Sequence, residues 1–255
     1  MAIRVSDVPQ LGWPSAQEAD WFGKMPIGTA RRVAGTLSRP SKMPSHGYSI
    51  PTKYCQVGGK LRSVVGSTCI RCYAHNRGNY IFKNVQAGLE RRYRSLTDPG
   101  WVPAIARQVQ RAYDNWERRV AAARALGNEP TGYDGRYFRW HDSGDIQGPW
   151  HLANICAVAR LTPDVQHWLP TREYRMVRDY LRMGGTVPAN LTVRLSAHMV
   201  DGPTPDIAGL PVSTVHTELA PEGSHCCPAP TQGNQCGDCR ACWAPAVRHV
   251  SYHQH

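Results

Sequence analysis

The chain has 255 residues, 41% of them apolar, and a formal net charge of +11. That is enough apolar chain to bury a core, and it excludes a disordered polypeptide. No stretch approaches the ~18 uninterrupted apolar residues of a membrane span, and MAIRVSDVPQLGWP at the N-terminus lacks a signal peptide's charged-then-apolar pattern. The expected setting is therefore a cytoplasm with no membrane partner, and the positive charge makes nucleic acid the expected polyanionic partner.

Taken in chain order, residues 1–45 are rich in Gly, Pro and Ser and predict an irregular arm with one short helix over SAQEADWFGKM. HGYSIPTKYC predicts a short strand, and the segment after Cys72 predicts a helix. DPGWVPAIARQVQRAYDNWERRVAAARALG is the clearest helix: Val102, Ile105, Val109, Ala112, Trp116, Val120 and Ala123 recur at helical spacing. Asp98 is suited to cap that helix and Gly127 to end it. Arg91, Arg92 and Arg94, continued by Arg107, Arg111, Arg118, Arg119 and Arg124, form its basic cluster. RYFRWH, VQHWLPT, LTVRLSAH and VSTVHTEL read as strands, with helices over PWHLANICAVARL and EYRMVRDYLRMGG. Strands alternating with helices imply right-handed crossovers and a mostly parallel α/β sheet. The expected organisation is an arm (1–45), an α/β domain (46–220) and a cysteine-rich tail (221–255) packed on it, too irregular to add another layer.

Parallel sheets place their chemistry at the C-terminal ends of strands. Those ends carry His141, Asp142, Ser143 and Asp145; Thr171 and Arg172; Ser196 and His198; and His216 and Glu218. His141, Asp142, Asp145, Arg172 and His198 are the candidate catalytic residues, with Asp145 or His141 as acid/base. The competing reading makes Ser143 and Asp145 caps of the helix near Pro149.

Nine cysteines in a reducing compartment point to metal rather than disulfides. Cys156 lies on a helix face beside Leu152 and Ala159 and reads as core. The candidate ligands are Cys55, Cys69 and Cys72 toward the N-terminus, and Cys227, Cys236, Cys239 and Cys242 in the tail. Cys227 is preferred to its neighbour Cys226 because Pro228 stiffens the chain after it. Three evenly spaced cysteines in CGDCRACW favour an iron–sulfur cluster, with 4Fe–4S first. Zinc on paired Cys-x-x-Cys elements is the alternative. The expected site joins Cys69 and Cys72 to the tail cysteines, with Trp243 shielding the metal.

SIPTKYC…GSTCIRCYA, FRWHDSGDI…VQHWLPTRE and CGDCRACW, in that order, resemble the bacteriophage "gene product 88" family over roughly residues 42–243. The CxxCYA element is also similar to the cluster loop of radical S-adenosylmethionine proteins, although thirteen residues separate Cys55 from Cys69 where that loop spaces its cysteines closely. The resemblance implies a partial or complete barrel of the triosephosphate-isomerase (TIM) type carrying an iron–sulfur cluster, with S-adenosylmethionine as a further cofactor and redox or radical-type chemistry at the barrel mouth. A nucleic-acid-binding protein with a structural zinc is the alternative function.

Overall fold

The structure is a computed structural model that describes residues 10–75 and 77–254. Seven strands form one sheet: β1 (His46–Tyr48), β2 (Tyr137–Trp140), β3 (Gln166–Thr171), β4 (Leu191–Val200), β5 (Val212–His216), β6 (His225–Cys226) and β7 (His249–His253). Their order is β1-β2-β3-β4-β5-β7-β6, and every pair is parallel. Among the described residues β1 and β6 are the ends of this order. The parallel α/β class read from the sequence is the class of the fold.

The first five strands lie in chain order, and a right-handed crossover between parallel neighbours always returns over the same face. The intervening helices α4 (Lys83–Ser95), α5 (Trp101–Ala125), α6 (Pro149–Leu161) and α7 (Tyr174–Arg182) therefore share one side. Alternation along each strand divides the sheet accordingly. Phe138, Trp140, Leu169, Val193 and Leu195 enter the helix-side core with Trp101, Ile105, Leu152 and Ile155. Arg139, Trp168, Thr192 and Arg194 alternate with them and point to the other face.

The tail covers that other face. Trp243 is buried there, against Trp168 at 5.1 Å and Tyr137 at 5.5 Å between ring centroids. Its Nε1 donates to Phe138 O, and Thr192 Oγ1 donates to Trp243 O at 2.7 Å. The expectation that the tail adds nothing to the layers is corrected: β7 inserts between β5 and β6, and both come from the tail. HVSYH is short, but it buries Val250 and Ser251, and its ladder to β5 runs over five residue pairs.

The N-terminal arm is also more ordered than its composition implies. α1 (Ala16–Lys24) opens on a capping box of Ser15 and Glu18, and α2 (Ile27–Ala34) follows. Both pack against α5. Residues 1–9 lie outside the described part. Asp98 does not cap α5 as expected: the N-cap is Gly100, whose N–H donates to Asp98 Oδ1. No described helix is long and apolar enough to cross a membrane.

One glycine ties the fold to the site. Gly144, in the loop after β2, has φ +85°, and a Cβ there would lie 2.3 Å from Ile50 Cγ1 and 2.8 Å from Ile50 O. Gly144→Ala meets both a strained backbone and a fixed neighbour, so it is expected to cost more than about 1 kcal/mol. Urea unfolding followed by circular dichroism measures the loss.

Candidate functional site: two groups of thiols

The loop after β1 crosses the C-terminal edge of the sheet. Ile50 exchanges two hydrogen bonds with Ser143. Farther on, Thr68 N donates to His198 O, and Ser67 bridges Met199 of β4. Between these attachments the short helix α3 (Val57–Leu61) folds back. Glu173 Oε1 accepts from Gln56 N and Val57 N at 3.0 and 2.8 Å. Gly58 lies against two thiols: a Cβ there would be 3.5 Å from Cys69 Sγ and 3.9 Å from Cys55 Sγ. Cys55 and Cys69 thus come together although distant in sequence, and Cys72 adjoins them through the turn in which its N–H donates to Cys69 O. Burial pushes the Cys55 and Cys69 thiols up.

Asp145 is within electrostatic reach of Cys55 and Cys69. It does not cap α6, whose N-cap is Gly148 with no side-chain bond. Its Oδ1 accepts from Ile146 N and Thr171 Oγ1, and its Oδ2 from Arg172 N. Burial pushes the carboxyl up to about 6 despite those three bonds, which makes it a proton donor or acceptor near neutrality. Arg172 also lies near Cys69 and donates from Nε to Thr68 Oγ1 at 2.9 Å.

The other strand-end candidates do different work. His198 donates from Nε2 to Arg172 O and stacks on Tyr174 at 4.3 Å, so it straps β4 to the end of β3. His141 is buried against Trp140 and His151. Its φ is +52°, neither ring nitrogen has a partner among the described residues, and burial lowers it to about 3. A ring that stays neutral at pH 7 is not a proton donor, so of the two acid/base candidates Asp145 has the suitable environment. Asp142 accepts from Tyr80 OH at its Oδ2 and from Tyr73 OH at its backbone oxygen.

The tail cysteines form a second group. Cys227 N donates to Ser251 O, beside β7, and Cys236 N donates to Lys42 O. Cys239 Sγ lies 3.4 Å from His225 Nε2, and Cys242 Sγ lies 3.2 Å from Tyr252 OH. Cys227, Cys236 and Cys239 are mutual electrostatic neighbours, and Cys242 has Cys227 in reach. Burial pushes Cys242 up to about 12. Cys226 is exposed and Cys156 is fully buried.

The structure therefore groups three thiols at the sheet edge and four in the tail. Among the described residues no hydrogen bond joins Cys69 or Cys72 to a tail cysteine, so the expected junction of the two groups stays an expectation. Each tail thiol is tied to strands β6 and β7 or to the chain near Lys42, whereas Cys55, Cys69 and Cys72 belong to the β1 loop. Trp243 is placed accordingly: it anchors the tail to the sheet. Among the described residues no three His, Cys, Asp or Glu side chains converge closely enough to hold a single metal ion. Each group is nonetheless a soft thiol set of the kind that binds iron–sulfur clusters or zinc once deprotonated.

Sequence reasoning missed Glu173, Gly58 and Arg139. Arg139 carried a signal, since it is a charge at an alternating position inside an otherwise apolar strand. No curated protein and no solved structure matches the chain. A family model described as Gene product 88 matches residues 27–245, and the chain belongs to that family.

Proposed function

We propose that the protein is an iron–sulfur protein whose working cluster is held by Cys55, Cys69 and Cys72 at the C-terminal edge of the sheet. The observation that carries this reading is that a loop with thirteen residues between its first two cysteines folds back so that Cys55 and Cys69 lie against the same glycine, with Cys72 in the adjoining turn, beside a buried carboxyl. Three protein ligands leave one iron of a cubane open to an outside ligand, which is what redox or radical-type chemistry at a substrate requires. The resemblance of the CxxCYA element makes S-adenosylmethionine the ligand to test there. Asp145 is the acid–base group, and Arg172 is the cation beside the anionic thiolates. Gly58 keeps α3 close to the thiols without filling the space they share.

Cys227, Cys236, Cys239 and Cys242 form a second, fully ligated centre that fixes the tail. Four thiolates are equally the donor set of structural zinc. That favours keeping a second reading, a nucleic-acid-binding protein with a structural zinc, for this group.

Purification without air, followed by counting iron, sulfide and zinc, tests both. The expected protein is brown, absorbing at about 400 nm. The triple variant Cys55→Ser/Cys69→Ser/Cys72→Ser loses roughly four irons while remaining folded. Cys239→Ser loses the other metal and loosens the tail; truncating the tail would remove β7 as well and is the poorer probe. A colourless protein that retains only zinc in both groups overturns the iron–sulfur reading.

A further inference from the structure

Beside the edge strand β1 runs a cleft of about 1340 Å³, bounded by α2, α4, the outer half of α5 and the chain near Pro40. Among the described residues, nine of its lining side chains are Lys or Arg, and only Asp142 is acidic. Of the basic cluster on α4 and α5, Arg91, Arg92, Arg111 and Arg119 turn into this cleft. Arg94 is instead paired with Glu90 at 3.5 Å, and Arg107 is bonded to Met25 O. Arg31, Arg39, Arg91 and Arg111 are exposed and make no ion pair among the described residues. The sequence's net positive charge is thus focused on one concave surface.

The floor of the cleft holds unspent hydrogen-bonding groups. The Arg139 guanidinium lies 4.6 Å over the Trp168 ring and donates from Nη1 to Met43 Sδ, a weak acceptor. Its Nε is buried without a partner, and no carboxylate pairs with it among the described residues. Beside it, Asp142 Oδ1 is likewise buried and unpartnered. Arg139 and Asp142 lie within electrostatic reach of each other and of Tyr73, which offsets the charges, but a buried N–H and a buried carboxylate oxygen left without hydrogen bonds remain costly unless something from outside completes them. Tyr73 and Tyr80 meet edge-to-face at 6.1 Å on the wall, and Tyr133 packs on His46 at 4.7 Å.

We propose that this cleft binds single-stranded nucleic acid and presents a nucleotide to the thiol site, with Arg139 and Asp142 reading an unpaired base at the floor. Rim arginines neutralise phosphates, and tyrosine faces stack bases. A neighbouring donor and acceptor match the base edge that a duplex would already have used. The volume exceeds the ~300–1,000 Å³ of an ordinary small-molecule pocket. Tyr73 directly follows Cys72 and bonds to Asp142 O, so the cleft floor adjoins the three-thiol group. The inference names the substrate class of the site proposed above and rests on that reading for its chemistry, though not for binding.

Fluorescence anisotropy with labelled single-stranded RNA, single-stranded DNA and duplex DNA tests it on the full chain, purified both without air and after metal removal. Single strands are expected to bind at least tenfold tighter than duplex at 50–200 mM salt (about the range in which phosphate contacts dominate). Arg91→Glu/Arg111→Glu is expected to weaken binding at least tenfold and to reduce the log–log salt slope by about 1.4, or 0.7 per phosphate contact. Arg178→Glu/Arg182→Glu on α7, outside the cleft, is expected to change neither. The RNA and DNA arms decide which strand is preferred. Equal binding of duplex, equal loss in the α7 control, displacement by polyglutamate as readily as by oligonucleotide, or no binding at low salt each overturns the inference. Tight, cleft-dependent binding by a protein without iron keeps this inference and removes the cluster; a brown protein that binds no strand does the reverse.

Discussion

Arg194→Met is expected to detach the C-terminal tail from the sheet and to cost about 3 kcal/mol or more of stability. Arg194 is fully buried on β4 and pairs with no carboxylate among the described residues. Its two terminal nitrogens bond backbone carbonyls instead, while Nε has no partner among the described residues: Nη1 donates to Val212 O at 3.0 Å, and Nη2 to Ala241 O at 3.1 Å, Ala244 O at 3.3 Å and Val247 O at 3.0 Å. Three of these four acceptors lie in the tail turn around Trp243. Bonds to a charged donor are among the stronger ones, about 1.5–3 kcal/mol each, and a carbonyl left buried without a partner costs about 1–3 kcal/mol. Methionine fills much of the volume and supplies no donor, so the orphaned carbonyls regain water only by moving out. Limited proteolysis should then cut first within residues 228–247, before the helix layer is attacked, and the urea midpoint should fall. Arg194→Lys keeps a charge but cannot fork across two segments, so it should fall between the two. A proteolysis pattern and midpoint unchanged in Arg194→Met would mean that Trp243 and the β7 ladder hold the tail without the guanidinium.

The same residue marks how far the sequence carries. Helices α5, α6 and α7 and strands β2 to β5 were legible because each shows its own period over enough residues. β7 and β6 were not, since five and two residues give alternation too little length, and their stability comes from neighbours far off in the chain. Arg194 sits in LTVRLSAH as one polar residue in an apolar strand, and nothing local says that it faces a tail arriving some fifty positions later. The thiol site divides likewise. Cysteine spacing identified the candidates, and the strand-end rule identified Asp145 and Arg172. The grouping could not be read, because Cys55 reaches Cys69 only when α3 folds back. That turn is held by Glu173 from across the sheet and permitted by Gly58, and neither contact leaves a trace in local spacing.

Acid is expected to unfold the protein in the range of about pH 5 to 4, with buried histidines as the cause. His141 and His167 are lowered to about 3, His46 to about 4, and His151 well below its ordinary value, in each case chiefly by burial. His167 shows the structural reason most clearly. Trp140 Nε1, a donor only, points at its Nδ1 at 3.2 Å. Thr162 Oγ1, already donating to Val158 O, faces its Nε2 at 2.9 Å. The ring is therefore the neutral Nε2–H tautomer, and a second proton on Nδ1 would meet another N–H. A folded-state pKa below the unfolded value of 6.5 means that the unfolded chain binds more protons between the two. Stability is then fully present above pH 6.5 and is lost as pH falls toward 3. At pH 5 a ring lowered to about 3 has given up about 2 kcal/mol. The three rings lowered to about 3 or 4, His141, His167 and His46, together remove about 6 kcal/mol, comparable with the ~5–15 kcal/mol of a typical domain. Asp145 works the other way: its carboxyl, raised to about 6, contributes stability as it protonates between about pH 6 and 4 and offsets about one ring. Urea titrations at pH 7 and pH 5 measure the balance. His167→Gln retains one acceptor and one donor and has no proton to gain, so its stability should change about 2 kcal/mol less between the two pH values than the parent's. An equal change in both proteins would place the acid sensitivity in His141, His151 and His46, and a parent as stable at pH 4 as at pH 7 would refute the histidine account altogether.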